Sequence, residues 1–198
     1  MLLINELNHR VKNTLAIVQS LASQTLRGER MSATVGQSFI GRLIALAGAH
    51  DVLTSADWQT ADLTEIVRRS VGPFDNGGGR IRVEGPAVRL SPRTALALAM
   101  AVHELATNAA QHGALSDDRG RVSVDWKVAN GGAGDRLAWV WRELGGPVVA
   151  RPQTTGFGSR LIERGLPTEL GGAVGLYFEP GGVVCTIDAP LPLAGALN

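Results

Sequence analysis

The sequence predicts an α+β fold, in which an antiparallel helical hairpin precedes an α/β sandwich with a mixed, largely antiparallel sheet. Apolar residues, with Thr14 filling one position, recur at alternating intervals of three and four from Ile4 to Leu21, which is typical of a helix packed in a bundle. Strict alternation in RVSVDWKV, residues 121–128, indicates instead a half-buried strand. Helices and antiparallel strands together favour the α+β class.

The first predicted domain covers residues 1–56 and consists of two helices. Gly28 ends the first helix, and the second carries its own apolar stripe. A short linker between two such helices indicates an antiparallel hairpin. Because a hairpin leaves one apolar face uncovered, we expect it to pair with a second copy or with other helices. The residues of the second stripe are Phe39, Leu43, Leu46, His50 and Leu53.

The second predicted domain covers residues 57–198. TADLTEIVRRSV is a helix that Thr60 or Asp62 can cap. GGGRIRVEG and AVRL are interpreted as a short hairpin. Ser91 as cap and Pro92 in the first turn then begin a long helix that runs to about His112. DRLAWVWRE is a strand, residues 156–166 form a helix, and AVGLYF with VVCTIDAPL makes a final hairpin.

Composition narrows the classes of function. A net charge of +1 gives no basic footprint for nucleic acid. The single cysteine, Cys185, excludes a disulfide framework and is expected to be a buried strand residue. No apolar run approaches the ~20 residues of a transmembrane helix, and polar residues interrupt the N-terminus where a signal peptide would be apolar. We therefore expect a cytoplasmic protein.

His9 is the first candidate for chemistry. In the heptad register it lies opposite the apolar seam, and Glu6 and Asn13 share its face. Neutral imidazole is a nucleophile near neutral pH, and a neighbouring carboxylate can orient the ring and stabilise the developing charge. The alternative is an ordinary solvated face, which this helix by itself would favour.

The long helix carries a second candidate site. Glu104 and Asn108 are four residues apart and project from one face. An amide oxygen such as that of Asn108 suits Mg²⁺, and Glu104 can hold a water on the metal or act as a base. The alternative is an ordinary polar face. HGALS weakens that alternative, because the helix ends in a glycine turn without basic residues.

The strand that follows ends in a third group of candidates. Trp141 and Glu143 share one side of it, and the Glu143 carboxylate can accept the exocyclic amine of adenine. Gly145 and Gly146 permit close backbone approach. Trp141 is either a wall of the base pocket or plain sheet core.

Gly156, Gly158 and Ser159 begin the next predicted helix, where backbone N–H groups suit phosphate oxygens. A lone G-x-G is weak evidence by itself. The sequence contains neither a Walker loop nor a dinucleotide fingerprint after a strand, which disfavours P-loop enzymes and dinucleotide-binding domains.

Taken in order, these segments resemble the HWE family of bacterial sensor histidine kinases. The family is named for a histidine in its Asn-bearing motif and for a Trp-x-Glu motif that follows, and here these are His103, Trp141 and Glu143. The segment ELNHRVKN, with His9, matches the family's histidine box. The second domain is similar to the GHKL (Bergerat) fold of histidine kinases, gyrase and Hsp90. The match runs from Asn5 to about Pro192. It implies autophosphorylation of His9 from Mg·ATP, and transfer of the phosphoryl group to an aspartate in the receiver domain of a response regulator. It also implies a homodimer formed through the hairpin, although members of this family can be monomers as well. An upstream sensor domain, which such kinases carry, is expected to be absent from this chain.

Several positions depart from the broader histidine kinase pattern. Arg10 follows the phosphoacceptor where an acidic residue is usual, which leaves either Glu6 as the assisting group or no dedicated base. Glu143 replaces the usual aspartate, and residues 147–155 are short for an ATP lid. Gln111 and His112 stand in a run that often contains lysine, so His112 remains as the nucleotide-contacting candidate there.

Two other functions fit part of the pattern. One is a GHKL ATPase or serine kinase without a histidine acceptor, such as an anti-sigma-factor kinase. The other is a pseudo-kinase that acts as a dimeric scaffold. The exposed His9 on a helical hairpin discriminates against the first, because an enzyme without histidine chemistry has no need of that element.

Overall fold

The computed structural model describes residues 60–75, 77–131, 134–149 and 157–191. The predicted helical hairpin, with His9, Glu6 and Asn13, lies outside these residues, as does Gly156. The described part begins at the second predicted domain.

A five-stranded sheet forms the centre of the described part. It has the order β2-β4-β5-β7-β6, in which β2 and β4 are parallel and all other neighbours are antiparallel. A second sheet contains only β1 and β3. The expected mixed, largely antiparallel sheet is therefore confirmed. The strands are β1 (Ala61–Asp62), β2 (Ile81–Glu84), β3 (Arg89–Leu90), β4 (Arg121–Gly131), β5 (Gly134–Leu144), β6 (Ala173–Glu179) and β7 (Gly182–Pro190).

The predicted hairpin of GGGRIRVEG and AVRL is wrong. Strand β2 pairs with β4, whereas β3 pairs with β1 in the other sheet. Pro86 between them lacks an N–H for a hairpin ladder, and its carbonyl oxygen instead accepts the Trp126 indole N–H at 2.8 Å. Val88 is buried and its carbonyl accepts the Leu63 N–H at 3.0 Å. The chain thus leaves the five-stranded sheet after β2, passes Trp126 at Pro86, and enters the two-stranded sheet at β3.

Three helical stretches accompany the sheets. Helix α1 (Leu63–Asp75) is capped by Asp62, whose Oδ1 accepts the Glu65 N–H at 3.1 Å. Helix α2 (Pro92–Gln111) is capped by Ser91. The third stretch begins at Phe157 and continues four residues beyond the predicted end. It comprises α3 (Phe157–Arg160), a π-helical turn (Leu161–Gly165) and α4 (Leu166–Leu170).

The core joins the helices to one face of the large sheet. Four apolar α2 residues, spaced four, three and four positions apart on one helix face, are buried, and so are the tryptophans of β5. Cys185 is a buried free thiol, as expected, and burial raises its pKa to about 12. The α2 residues are Leu98, Val102, Leu105 and Ala109. Among the described residues, no helix is both long and apolar enough to span a bilayer.

Candidate functional site

The C-terminal end of α2 is closed by backbone hydrogen bonds. The carbonyl oxygen of Asn108 accepts the N–H groups of His112 and Gly113 at 2.8 and 3.0 Å. A short 3₁₀ turn, Ala114–Ser116, follows directly. The side chains of Asn108 and His112 are exposed, so both are accessible at the helix end.

Glu143, at the end of β5, is buried against that turn with only 1% of its surface exposed. Its Oε2 accepts the Ala114 N–H at 2.9 Å, and its Oε1 accepts the Trp141 indole N–H at 3.3 Å. Burial raises the pKa of the Glu143 carboxyl, while the two hydrogen bonds act in the opposite direction. The predicted adenine-reading carboxylate is thus buried, and each of its oxygens already accepts one hydrogen bond from the protein.

Glycines allow β5 and the turn to meet. A methyl group on Gly113 would overlap Glu143 Oε2, and one on Gly146 would overlap the Ala114 Cα. Gly145 has a φ of +72°, a conformation that side chains disfavour. The predicted close approach at Gly145 and Gly146 therefore exists, and the surface approached is the turn after α2.

Glu104 and Asn108 share a helix face but differ in environment. Glu104 is 5% exposed and lies against the start of α3, where a methyl group on Gly158 would overlap its Oε2. Asn108, one turn later, is exposed, and Ser159 is half-buried. The contact between Glu104 and Gly158 brings the predicted phosphate-binding helix start to the predicted metal-binding face of α2.

The structure therefore gathers most of the predicted second-domain candidates at one end of α2. Within the described part of the chain, no three His, Cys, Asp or Glu side chains are grouped to hold a metal ion. The donor set of Asn108 and Glu104 nevertheless suits Mg²⁺, which takes one or two protein ligands and completes its shell with phosphates and water.

Two groups at this site were missed by sequence reasoning. The Ala114 N–H is a main-chain donor, so its residue type carries no signal. Gly113, which has to be small beside Glu143, stands in the HGALS segment and was read only as a helix end.

His103, one of the family's letters, is buried and packs edge-on against Phe74 with 5.4 Å between ring centroids.

Comparisons with known proteins find similarity to histidine kinases. The family profile of HWE histidine kinases matches residues 6–87. A "Blue-light-activated histidine kinase" of Brucella anthropi is 39% identical over 191 residues, which are 96% of this chain and 39% of that protein. A protein of the same name from Brucella ovis is 36% identical over 191 residues, which are again 96% of this chain and 39% of that protein. The chain thus spans about two fifths of the length of these curated relatives.

Solved structures give the same match in three dimensions. The histidine kinase domain of the Erythrobacter litoralis EL346 blue-light activated histidine kinase aligns with a TM-score of 0.60 and 25% identity. The alignment covers 95% of this chain and 90% of that domain. The longer EL346 structure aligns with a TM-score of 0.63 and 25% identity, over 98% of this chain and 60% of the other.

Proposed function

Because this chain belongs to the HWE family of histidine kinases, we propose that it autophosphorylates His9 from Mg·ATP. The phosphoryl group then passes to an aspartate in the receiver domain of a response regulator. In this proposal residues 1–56 are the phosphotransfer and dimerisation hairpin, and residues 57–198 bind the nucleotide. A sensor domain would lie in another part of the protein, and the proposed compartment is the cytoplasm.

The observation that carries the nucleotide-binding part is the meeting of three elements at one end of α2. The end of β5 supplies a carboxylate, the turn after α2 supplies a fixed backbone, and α3 begins against Glu104. A carboxylate has about four lone-pair positions, of which Ala114 and Trp141 use two. Capacity therefore remains for the exocyclic amine of adenine at Glu143.

Each remaining candidate has a proposed part in this site. The exposed amide of Asn108 would hold Mg²⁺, with Glu104 orienting a water or accepting a proton. Bound there, the ion would neutralise phosphate charge. His112, Gly145 and Gly146 would contact the nucleotide, and the chain around Gly156, Gly158 and Ser159 would offer N–H groups to its phosphates.

On the hairpin, the proposed roles of Glu6 and Asn13 differ. Glu6, one turn before His9, would orient the imidazole and stabilise the charge that develops as the ring attacks the γ-phosphorus. Arg10 cannot act as a base, since guanidinium stays protonated. Asn13 would orient a water for dephosphorylation or contact the receiver domain.

Labelling with γ-³²P-ATP and Mg²⁺ tests the proposal. We expect a label on the chain that acid removes and base leaves, as for phosphohistidine. It should disappear in His9→Gln and persist in His50→Gln, the control on the other predicted hairpin helix. Asn108→Ala should also lose the label, while Gln111→Ala on the same helix should keep it.

Two outcomes contradict the proposal. A label that survives in His9→Gln would show that another residue is the acceptor. ATP hydrolysis without any label, or an acid-stable label on a serine, would instead favour the GHKL ATPase or serine kinase.

A further inference from the structure

Trp141 and Glu143 lie two positions apart on β5, so the period of a strand places both on its inner face. Both are buried, at 0% and 1% exposure. The indole N–H of Trp141 donates to Glu143 Oε1 at 3.3 Å, just beyond the usual range of about 2.7–3.2 Å for such bonds. The other oxygen, Oε2, is held by the Ala114 N–H at 2.9 Å.

We propose that Trp141 is a positioning residue, whose indole N–H fixes Glu143 Oε1 so that the carboxylate meets the base of the nucleotide in one orientation. This inference rests on the proposed function. With Oε2 tied to the turn after α2 and Oε1 tied to the strand, rotation of the carboxylate about its terminal bond is blocked at both oxygens. Its remaining lone pairs then point in fixed directions before any nucleotide arrives.

Trp139 shows what a tryptophan does here when it only packs. It lies on the same strand and face and is 1% exposed. Its indole nitrogen is buried and has no hydrogen-bond partner among the residues that the structure describes. An unsatisfied buried N–H is unfavourable, so at Trp139 the ring fills the core despite its N–H. At Trp141 the N–H meets a carboxylate, and this contrast separates positioning from packing.

The bond also bears on the charge of Glu143. Desolvation raises the pKa of this carboxyl, and the N–H groups of Ala114 and Trp141 oppose the rise. A protonated carboxyl would be a poorer acceptor for an amine. Removing the Trp141 N–H should therefore extend the loss of nucleotide binding to higher pH. The titratable or charged groups on the surrounding elements include Arg80, whose guanidinium donates to the Asp117 carbonyl oxygen, and others on α2, after the turn and on β4 and β5. These others are Glu104, His112, Asp117, Asp118, Arg119, Arg121 and Arg142.

The binding test compares Trp141→Phe with Trp139→Phe in the whole chain. Each variant keeps an aromatic ring and loses one indole N–H. Titration calorimetry with Mg·ADP at several pH values should find binding weakened on the order of tenfold in Trp141→Phe, as loss of a charged hydrogen bond predicts. The pH midpoint for loss of binding should rise only in that variant. Equal affinities and midpoints in the two variants would overturn the proposal.

A second measurement follows the hydrogen bond itself. The chain has four tryptophans, so ¹⁵N labelling gives four indole signals, which Trp→Phe variants assign. Glu143→Gln should move the Trp141 signal and leave the Trp139 signal in place. An unmoved Trp141 signal would overturn the positioning role.

The outcomes separate this inference from the function on which it rests. Wild-type protein that binds Mg·ADP normally, together with an unaffected Trp141→Phe, would leave the proposed function standing and reject positioning. Wild-type protein that binds no adenine nucleotide would overturn both.

Discussion

The two ends of α2 are built in different ways. At the N-terminal end, the Ser91 side chain accepts the Thr94 N–H at 3.2 Å and Pro92 occupies the first turn. Arg93 reaches across to Glu169 on α4 in an exposed ion pair. The cap and the proline stabilise the start of the helix, and the ion pair adds a contact at the surface that water and salt screen.

The C-terminal end is closed instead by backbone hydrogen bonds to the Asn108 carbonyl oxygen. Its last turn contains no basic residue. Two charged groups bind the following turn. The Arg80 guanidinium donates to the carbonyl oxygens of Leu115 and Asp117, and Glu143, a buried carboxylate, accepts the Ala114 N–H. Negative charge beside the negative end of a helix dipole is unfavourable, as is burial of the charge. Helix α2 is therefore anchored at its N-terminal end, while its C-terminal end tolerates an unfavourable charge that the proposed function uses.

The largest effect expected at the C-terminal end is that of Gly113→Ala. The added methyl group would overlap Glu143 Oε2 and lie 2.9 Å from the Ala109 Cα. Overpacking of this kind costs about 1–3 kcal/mol, and displacement of Glu143 should weaken Mg·ADP binding more than tenfold. Thermal melting and calorimetry measure the two effects.

Gly72→Ala is the matched control. Gly72 lies within α1, and no heavy atom lies within 4 Å of an added methyl group. Alanine there gains helix propensity, but its Cβ meets the ring of Pro73, so the free energy of unfolding should change by less than about 1 kcal/mol and nucleotide binding should be unchanged. If Gly113→Ala melted and bound like the Gly72 variant, the tight contact between the turn and β5 would be contradicted.

The charge at the C-terminal end should appear in the pH dependence of stability. Because the folded-state pKa of Glu143 is raised, folding favours its protonated form. The stabilisation is complete below the unfolded-state pKa and is lost as pH rises through the folded-state pKa. Denaturant unfolding should show wild type gaining stability relative to Glu143→Gln as pH falls through that window. If the free energies of unfolding of the two proteins changed in parallel with pH, burial would not raise the pKa of Glu143.

Ser91→Ala probes the other end of α2. Loss of an N-cap should cost about 1 kcal/mol, because the Thr94 N–H loses its side-chain acceptor. Binding of Mg·ADP should stay the same, since the cap lies at the far end of a 20-residue helix from Asn108. Weakened binding in folded Ser91→Ala would mean that the two ends are coupled.

The same contrast explains what the sequence could predict. Ser91 and Pro92 form a local signal, and alternation along β4 and β5 depends only on neighbouring residues, so helix start and strand faces were both predicted correctly. Trp141 and Glu143 were placed on one side of β5 by the same period of two. Their burial agrees with that placement.

Pairing between distant segments left no comparable signal. Strand β2 aligns in parallel with β4, whose first residue lies about 40 positions later, and adjacency in sequence had favoured a hairpin instead. Likewise, the donor for Glu143 Oε2 is the main chain of Ala114, 29 residues away. Such contacts depend on register and on main-chain atoms, to which residue type gives no guide.

The smallest effect is expected from the ion pair at the N-terminal end. Arg93 is 82% exposed, and its guanidinium makes two hydrogen bonds to Glu169. Water and salt screen such a pair, and ordering two long side chains offsets its attraction. Glu169→Gln should therefore melt within error of wild type at physiological salt, with unchanged Mg·ADP affinity. A clear loss of stability that persists at 1 M salt would show that the pair locks α4 onto α2, and that the N-terminal anchor extends beyond the Ser91 cap.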